Sequence, residues 1–294
     1  MGAGGRNINS VACVCAWSLC DLPSPESNDG DKIMNAARTT SALWLRIWAL
    51  LTLGFLLIPV AIVLPMSFSS ANALTFPPPG WSLRWFQVLL SDDDWIDAFS
   101  NSALVATLTA SAAVMLGSLA SYGLGRGQPR WRAVAEANLM LPLIVPGVII
   151  AIALYFFYAR WNLLGTITGL VLAHTLLAIP FVVMVLNTAI RGFDIRMEQV
   201  AWSLGASWSQ AMRRVVLPTL APNLAAAWIF AFVISFDEVI VSVFLAGTIN
   251  TVPKKMYNDL MLEITPTITA VATVLIAATA LVLLLVRWLT RRKP

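Results

Sequence analysis

Long runs of apolar residues alternate with short polar segments along most of the chain. Four runs contain no Asp, Glu, Lys or Arg, namely residues 101–125, 137–158, 165–190 and 268–286. Two further runs, 47–65 and 220–246, have the same character, although the second contains Asp237 and Glu238. Each run approaches or exceeds the roughly 20 residues that a helix needs to cross a bilayer. The pattern therefore predicts six membrane-spanning helices.

The same runs indicate the fold class. Lipid cannot satisfy exposed peptide groups, so only helices and closed barrels span a bilayer. The runs lack the alternation of apolar and polar residues that is typical of barrel strands. We therefore expect an all-α membrane protein, a bundle of six transmembrane helices.

The distribution of basic residues predicts the orientation of the bundle. If the N-terminus lies inside, fifteen of the 19 Lys and Arg residues fall on the cytoplasmic side, and only Arg84, Arg160, Lys254 and Lys255 fall outside. The outer side also receives Asp92, Asp93, Asp94 and Asp97. Both termini are predicted to be cytoplasmic, and the net charge of +4 then gives no reason to expect a nucleic-acid partner.

Composition divides the chain further. Residues 1–40 are predicted to be a disordered extension, 41–66 the first transmembrane helix, and 67–97 an extracytoplasmic loop. Residues 98–290 form a five-helix core that includes a loop at 191–218, and 291–294 form a basic cytoplasmic tail. Cys13, Cys15 and Cys20 all lie in the extension. Their spacing lacks the paired C-x-x-C and the histidines of common zinc sites, so no metal site is predicted.

Prolines and aromatic residues add local expectations. Pro77, Pro78 and Pro79 favour an extended conformation in the outer loop. The aromatic residues that follow suit anchoring at the lipid headgroups better than ligand contact; they are Trp81, Trp85, Phe86 and Trp95.

The third and fourth predicted spans contain residues that are unusual in an apolar helix. Pro142, Pro146 and Gly147 predict a kink in the third span. The only histidine, His174, has no charged residue within one turn, which favours a buried structural role.

Motifs for catalysis and nucleotide binding are absent from the sequence. None of the four lysines is followed by Ser or Thr, so the chain contains no G-x-x-x-x-G-K-[ST] loop for ATP. H-E-x-x-H and G-x-S-x-G are also absent. We therefore expect neither catalytic residues nor a cofactor bound by this chain.

The loop at 191–218 has the pattern of two short helices joined by a turn. The segment from Glu198 to Leu204 favours a helix, which Gly205 can end by adopting a positive φ. Ser207 or Ser209 can cap a second helix, which Pro218 is expected to bound. Periodicity alone would assign this segment to the membrane surface.

The order of residues in this loop resembles the EAA signature of permeases from binding-protein-dependent ABC importers. That signature reads E-A-A, three residues, G, nine residues and I-x-L-P. Aligned on Gly205, the sequence retains Ala201, Leu217 and Pro218 and has Val215 for Ile. Gln199 and Val200 replace Glu and Ala, and Glu198 lies one position early.

The resemblance covers residues 99–289 and implies several partners. In that family the loop carries a coupling helix that sits in a cleft of a separate ATPase, which hydrolyses the ATP. Two ATPases, a second permease that makes a heterodimer or homodimer, and an extracytoplasmic solute-binding protein complete the importer. By this resemblance the ATPase-coupling residues are Glu198, Gln199, Ala201, Leu204, Gly205, Leu217 and Pro218.

The fifth predicted span carries the candidate solute pathway. Ser235-Phe236-Asp237-Glu238-Val239 resembles a stretch of spermidine/putrescine permeases, and 252–257 resembles their outer loop. Carboxylates inside a membrane are costly and usually face an interior or a water-filled path. On a continuous helix, Asp237 would share a face with Phe230, Val233, Ile234, Val241 and Phe244, and this face could receive a polyamine. The predicted pathway residues are Asp237, Glu238, Phe230 and Phe244.

Other interpretations remain open from the residues. Asp237 could instead cap an internal break or pair with a basic residue of a neighbouring helix. The solute could be an opine, an amino acid, ferric ion or a sulfur oxyanion. A secondary transporter with Asp237 and Glu238 as cation sites is a further alternative, although it does not account for the loop around Gly205. An enzyme using this acidic pair is disfavoured, because adjacent side chains on a helix point about 100° apart.

Overall fold

A computed structural model describes residues 28–127, 130–262 and 264–291, and every regular element in these ranges is a helix. The predicted all-α class is therefore confirmed. A π-helical turn, Met212–Val216, joins the eighth helix to the ninth. In chain order the helices are α1 (Asn28–Ser67), α2 (Arg84–Ser91), α3 (Asp93–Arg126), α4 (Arg132–Ile144), α5 (Gly147–Trp161), α6 (Ile167–Gly192), α7 (Arg196–Ser203), α8 (Trp208–Ala211), α9 (Leu217–Phe236), α10 (Ile240–Leu245), α11 (Val252–Leu262) and α12 (Thr267–Arg291).

The chain divides into two compact units, residues 1–61 and residues 62–294. The described part of the first unit is helical from Asn28 onward. The extension over 1–40 stays a prediction, and α1 overlaps its residues 28–40. Residues 1–27, with the three cysteines, and residues 292–294 of the basic tail lie outside the described residues.

Four helical stretches are long and apolar enough to cross a membrane: Trp44–Ser67, Asp93–Arg126, Ile167–Gly192 and Trp208–Phe236. α4 and α5 are together long and apolar enough as well, but they are bent by 101° at their junction. α12 contributes the shorter apolar helix Thr267–Leu281. Within the described residues, four or, with the bent pair, five of the six predicted spans are therefore long and apolar enough to cross a membrane, and the sixth corresponds to the shorter apolar helix in α12.

The bend between α4 and α5 is much sharper than the predicted kink. Pro146 has no N–H to donate, and it restricts the preceding residue to extended conformations. Val145 accordingly has a ψ of 129°, so α4 ends at Ile144 and α5 begins at Gly147. Pro142 lies inside α4 without breaking it. The third predicted span is therefore two helices.

Small residues form the centre of the second unit, where α3, α6 and α9 pack on one another. Fully buried alanines from all three helices meet there. A Cβ atom on Gly117 of α3 would lie 2.6 Å from Cγ1 of Val182 on α6, so only glycine fits this crossing without a shift. Small residues allow close backbone approach, the main source of helix association in lipid.

The segment between α1 and α3 is not wholly extended, because α2 forms within it. Trp85 and Trp95 are buried, and Trp95 packs with Leu89, Val252 and Val271. The predicted anchoring role is therefore wrong for these two rings, which α2 and the first turn of α3 direct into the protein. Trp81 is exposed and remains compatible with it.

α11 is tied to the first turns of α3 by hydrogen bonds. The backbone N–H of Val252 donates to Oγ of Ser102 at 2.8 Å, and Nδ2 of Asn101 donates to the carbonyl of Asn250 at 3.1 Å. The ammonium of Lys254 donates to the carbonyls of Gly247 and Ile249. Burial lowers the pKa of Lys254, and these two carbonyls compensate part of its lost hydration.

Candidate functional site

The loop between α6 and α9 contains the predicted helix and turn. α7 ends in two bonds that satisfy its last carbonyls: the N–H of Gly205 donates to the carbonyl of Trp202 at 2.9 Å, and that of Ala206 donates to the carbonyl of Ala201 at 3.0 Å. Gly205 has a φ of +82°, which glycine adopts at little cost. This is a Schellman termination, as the placement of Gly205 predicts.

The second helix of the loop begins at the predicted cap. Oγ of Ser207 accepts the N–H of Gln210, and Oε1 of Gln210 accepts the N–H of Ser207 at 2.9 Å. This reciprocal pair is a capping box. It fixes the start of α8 immediately after the turn at Gly205.

The prediction that Pro218 bounds this second helix is wrong. α8 continues through the π-helical turn Met212–Val216 into α9, giving one uninterrupted helical stretch over Trp208–Phe236. A proline inside an α-helix collides with the carbonyl four residues earlier. The wider π turn immediately before Pro218 changes that spacing, which accounts for the continuity.

Most of the predicted coupling residues lie on the surface of this chain. Leu204 is 83% exposed at the turn, and Gln199, Gly205, Leu217 and Pro218 are also exposed. Ala201 is half-buried. Val200 and Trp208 add further exposed apolar surface beside Leu204. The loop therefore offers an apolar surface that the other described helices do not cover.

Glu198 differs from the other predicted coupling residues, because its side chain is only 2% exposed. Its carboxylate forms an ion pair with Nη2 of Arg126, the last residue of α3. The hydroxyl of Tyr122 donates to both carboxylate oxygens, at 3.3 and 3.4 Å. Adjacent residues on a helix point about 100° apart. Glu198 lies one residue before the position of Glu in the EAA signature, and its side chain therefore points into the protein. Gln199, which occupies the signature position, faces outward.

Arg126 is held between two aromatic rings. Its guanidinium carbon lies 5.3 Å from the ring centroid of Tyr122 and 5.4 Å from that of Phe193. The predictions from sequence did not include Arg126 or Tyr122. A signal was available, because Glu198 is one of few acidic residues on the side that the sequence predicts to be basic, where a basic partner is to be expected.

The predicted pathway residues surround a break in the fifth span. α9 ends at Phe236 and α10 begins at Ile240, so Asp237 lies at the end of a helix and not in the middle of one. The predicted shared face is therefore wrong for Val241 and Phe244, which belong to α10. The alternative in which Asp237 caps an internal break receives no side-chain hydrogen bond from Asp237 in the described residues, and the acidic residue that bonds to the start of α10 is Glu238. Its Oε1 accepts the N–H of Val241 at 2.9 Å.

Asp237 is exposed in this chain, and no described basic side chain lies within ion-pairing distance of it. Phe230 and Phe244 are exposed as well, and Phe230 makes an edge-on contact with Phe181 at 5.6 Å between centroids. Val233 lies between Phe230 and Asp237 on the exposed side of α9. Phe230 and Val233 thus share the exposed side of α9 that leads to Asp237, whereas Phe244 is exposed on α10.

His174 connects the two sides of this break. Its Nδ1 lies 2.9 Å from Oγ of Ser235 on α9, and its Nε2 lies 3.2 Å from Oγ of Ser242 on α10. All three side chains are buried. The predicted burial of His174 is confirmed, and its two serine partners were not predicted.

Comparison with known proteins places this arrangement in a family. Residues 113–293 match the family described as "Binding-protein-dependent transport system inner membrane component". The spermidine/putrescine transport system permease protein PotC of Escherichia coli K12 is 28% identical over 241 residues, 82% of this chain and 91% of the relative. The putrescine transport system permease protein PotI of the same strain is 28% identical over 257 residues, 85% and 91% of the two chains.

Solved structures show the same fold. A chain from a bacterial ABC transporter involved in the import of the acidic polysaccharide alginate superposes with a TM-score of 0.65 at 16% identity, over 92% of this chain and 100% of that one. A chain from an amino acid ABC transporter superposes with a TM-score of 0.54 at 18% identity, over 71% and 98%. The family match extends over most of the chain and includes the loop around Gly205 and the break at Asp237. The chain therefore belongs to the family of inner membrane components of binding-protein-dependent transport systems.

Proposed function

We propose that this chain is a permease subunit of an ATP-driven importer of polyamines such as spermidine and putrescine. Both curated relatives described above carry polyamine transport in their names, and each aligns with more than four fifths of this chain. The observation that carries the proposal is the break between α9 and α10. There the exposed Asp237 follows the end of α9, whose exposed side carries Phe230 and Val233.

The chemistry of this surface fits a polyamine. A polyamine carries ammonium groups separated by short hydrocarbon segments. Asp237 can pair with an ammonium group, and the rings of Phe230 and Phe244 can contact both a cation and methylene groups. Glu238 adds a second carboxylate, one oxygen of which already accepts a hydrogen bond from the N–H of Val241 in α10. We assign the solute pathway to Asp237, Glu238, Phe230 and Phe244.

The energy for transport comes from a separate subunit in this proposal. The loop presents Gln199, Ala201, Leu204 and Gly205 to the cleft of an ATPase, with Leu217 and Pro218 at the start of α9. The exposure of Leu204 and the fixed turn at Gly205 support this assignment. Closure of two ATPases would bring two such loops together and switch the bundles between inward- and outward-open states.

The full assembly comprises two ATPase subunits, this chain, a second permease and an extracytoplasmic solute-binding protein. The second permease is a different chain in a heterodimer or a second copy in a homodimer. The chain crosses the inner membrane several times with both termini in the cytoplasm. The loop that carries α7 then lies on the cytoplasmic side, and α2 and α11 lie on the outer side.

The decisive experiment is to purify this chain together with the ATPase and the solute-binding protein encoded beside it. The melting temperature of the binding protein is measured with spermidine, putrescine and a panel of amino acids and anions. ATP-dependent uptake of the same compounds is then measured in proteoliposomes. We expect spermidine or putrescine to raise the melting temperature and to be taken up. A shift with another compound alone would reassign the solute, and uptake without ATP would contradict the importer assignment.

A further inference from the structure

We propose that Arg126 and Glu198 are positioning residues that transmit the movement of the α7 loop to α3. This inference rests on the proposed function, in which an ATPase moves that loop. The pair is distinct from the docking surface around Leu204, because the Glu198 carboxylate is buried and faces the interior of the chain. Its charge is therefore unavailable to the surface of a partner.

The connections of the loop show why α3 needs such a link. Residues 193–195 join the loop directly to α6, and the continuous helix from Trp208 joins it directly to α9. α3 is the third helix of the central packing, but the chain leaves α3 toward α4. Movement of the loop is thus transmitted to α6 and α9 through the backbone, whereas its transmission to α3 depends on side-chain contacts.

Apolar packing between the loop and α3 is incomplete. A cavity of about 230 Å³ lies among α3, α6, α8 and the start of α9. Leu119 and Tyr122 of α3 line one side of it, and Trp208 and Met212 line another. Because this cavity is not filled by side chains, the ion pair at the end of α3 makes up a larger part of the contact between the loop and α3 than it would in a fully packed interface.

The geometry of the pair suits the transfer of motion. The Tyr122 hydroxyl holds the carboxylate, and the rings of Tyr122 and Phe193 hold the guanidinium on two sides. Separating the buried Glu198 carboxylate from Arg126 leaves that carboxylate uncompensated, which is strongly unfavourable. α7 and the end of α3 are therefore expected to move together when the loop moves.

The same end of the bundle offers a matched control. Glu136 of α4 pairs with Arg132 at 2.9 Å and with Arg191 of α6 at 3.6 Å. The first pair lies within α4, the second joins α4 to α6, and neither involves α7. Glu136→Gln therefore removes another carboxylate that pairs with arginine, one that is more exposed than Glu198, without affecting the proposed link.

The test uses the complete transporter in proteoliposomes with its binding protein and spermidine. The quantity measured is the amount of spermidine taken up per ATP hydrolysed, together with basal ATP hydrolysis and co-purification of the ATPase. In Glu198→Gln we expect this ratio to fall at least about fivefold, the lower end of typical coupling between sites. Basal hydrolysis and co-purification should stay unchanged. The double variant Arg126→Glu/Glu198→Arg should recover part of the ratio, and Glu136→Gln should retain all of it.

Arg126→Lys provides a second variant that preserves the charge but loses the planar group between the two rings. If Glu198→Gln does not assemble, the ratio in Arg126→Lys decides, and we expect it to fall as well. An unchanged ratio in a variant that assembles overturns the inference, and so does an equal fall in Glu136→Gln. A wild-type transporter without ATP-driven uptake would instead overturn the proposed function.

Discussion

The Nδ1 atom of His174 lies 2.9 Å from Oγ of Ser235, and this hydrogen bond joins α6 to the last turn of α9. The other ring nitrogen reaches Ser242 on α10. One imidazole therefore holds together two helices that the break at 237–239 separates. The position of Asp237 depends on this arrangement, because the segment that carries it lies between the two serines in sequence.

Replacement of His174 should loosen the break. Interhelical hydrogen bonds in membrane proteins contribute about 0.6 kcal/mol each on average, so His174→Leu should cost about 1 kcal/mol. For a protein of this size we expect a fall in melting temperature of about 2–4 °C, measured on the purified transporter in detergent. Thr188→Ala is the control, because its hydroxyl bonds only to the carbonyl of Met184 within α6. Equal melting of His174→Leu and wild type would contradict the bridging role.

Substitutions at Gly205 should act through backbone conformation. A Cβ atom at this position would meet nothing within 4 Å, but the φ of +82° is unfavourable for L-residues by about 1–2 kcal/mol. We expect Gly205→Asn to retain ATP-dependent uptake, since Asn tolerates this region better than most residues. Gly205→Ala should lower uptake several-fold. Gly205→Pro, whose φ is fixed near −65°, should abolish it.

The control for this series is Gly192→Ala, because a Cβ atom at the end of α6 also meets nothing and the φ there is not positive. Uptake and co-purification of the ATPase are measured for all four variants. Full uptake by Gly205→Pro would exclude the loop from coupling.

Removal of the Asp237 charge should weaken recognition of the solute. The carboxylate is exposed and makes no ion pair in the described part of the chain, so Asp237→Asn should assemble normally. Loss of one favourable charge contact of about 1.4 kcal/mol corresponds to about a tenfold rise in the apparent KM for spermidine uptake. Basal ATP hydrolysis should not change. Asp97→Asn, an exposed carboxylate on α3, serves as the control, and a KM equal to that of wild type in Asp237→Asn would remove this residue from the pathway.

The crossing of α3 and α6 should tolerate no added side chain at Gly117. Gly117→Ala would place its Cβ atom 2.6 Å from Val182 and force the helices apart. Overpacking of this kind typically costs about 1–3 kcal/mol. Val182→Ala should restore part of the lost stability in the double variant, since it removes the obstructing methyl groups. Gly123→Ala on the same helix meets nothing within 4 Å and should melt like wild type, and melting curves of the purified transporter distinguish these outcomes.

The turn and the helix cap in the loop between α6 and α9 could be predicted from the local sequence. Gly205 and Ser207 act through their own backbone and nearest neighbours, and each performs the predicted role in the structure. Pro218 was predicted wrongly because its effect depends on the preceding turn. Periodicity does not distinguish a π turn from an α turn, so the continuity of α8 with α9 could not be anticipated.

Tertiary packing accounts for the other differences. Trp85 and Trp95 match the composition of an interfacial belt, but both are buried in the protein, and Trp95 packs against residues of α11 and α12. Asp237 and Glu238 were expected to lie on one continuous helix. The helix instead ends at Phe236, and Glu238 accepts a hydrogen bond from the N–H of Val241 in the first turn of α10. The partner of Glu198 is 72 residues earlier in the chain, a distance over which periodicity carries no information.

The π turn at Met212–Val216 also bears on how the loop is oriented relative to α9. Such a turn contains one residue more than the α-helical turn that it replaces. Deleting a single residue from it would restore regular α-helical geometry and rotate α8 by about 100° around the axis of α9. The packing of α9 would be preserved, but Trp208 and the turn at Gly205 would face a different direction. The length of this one turn thus fixes the angle at which the loop is presented.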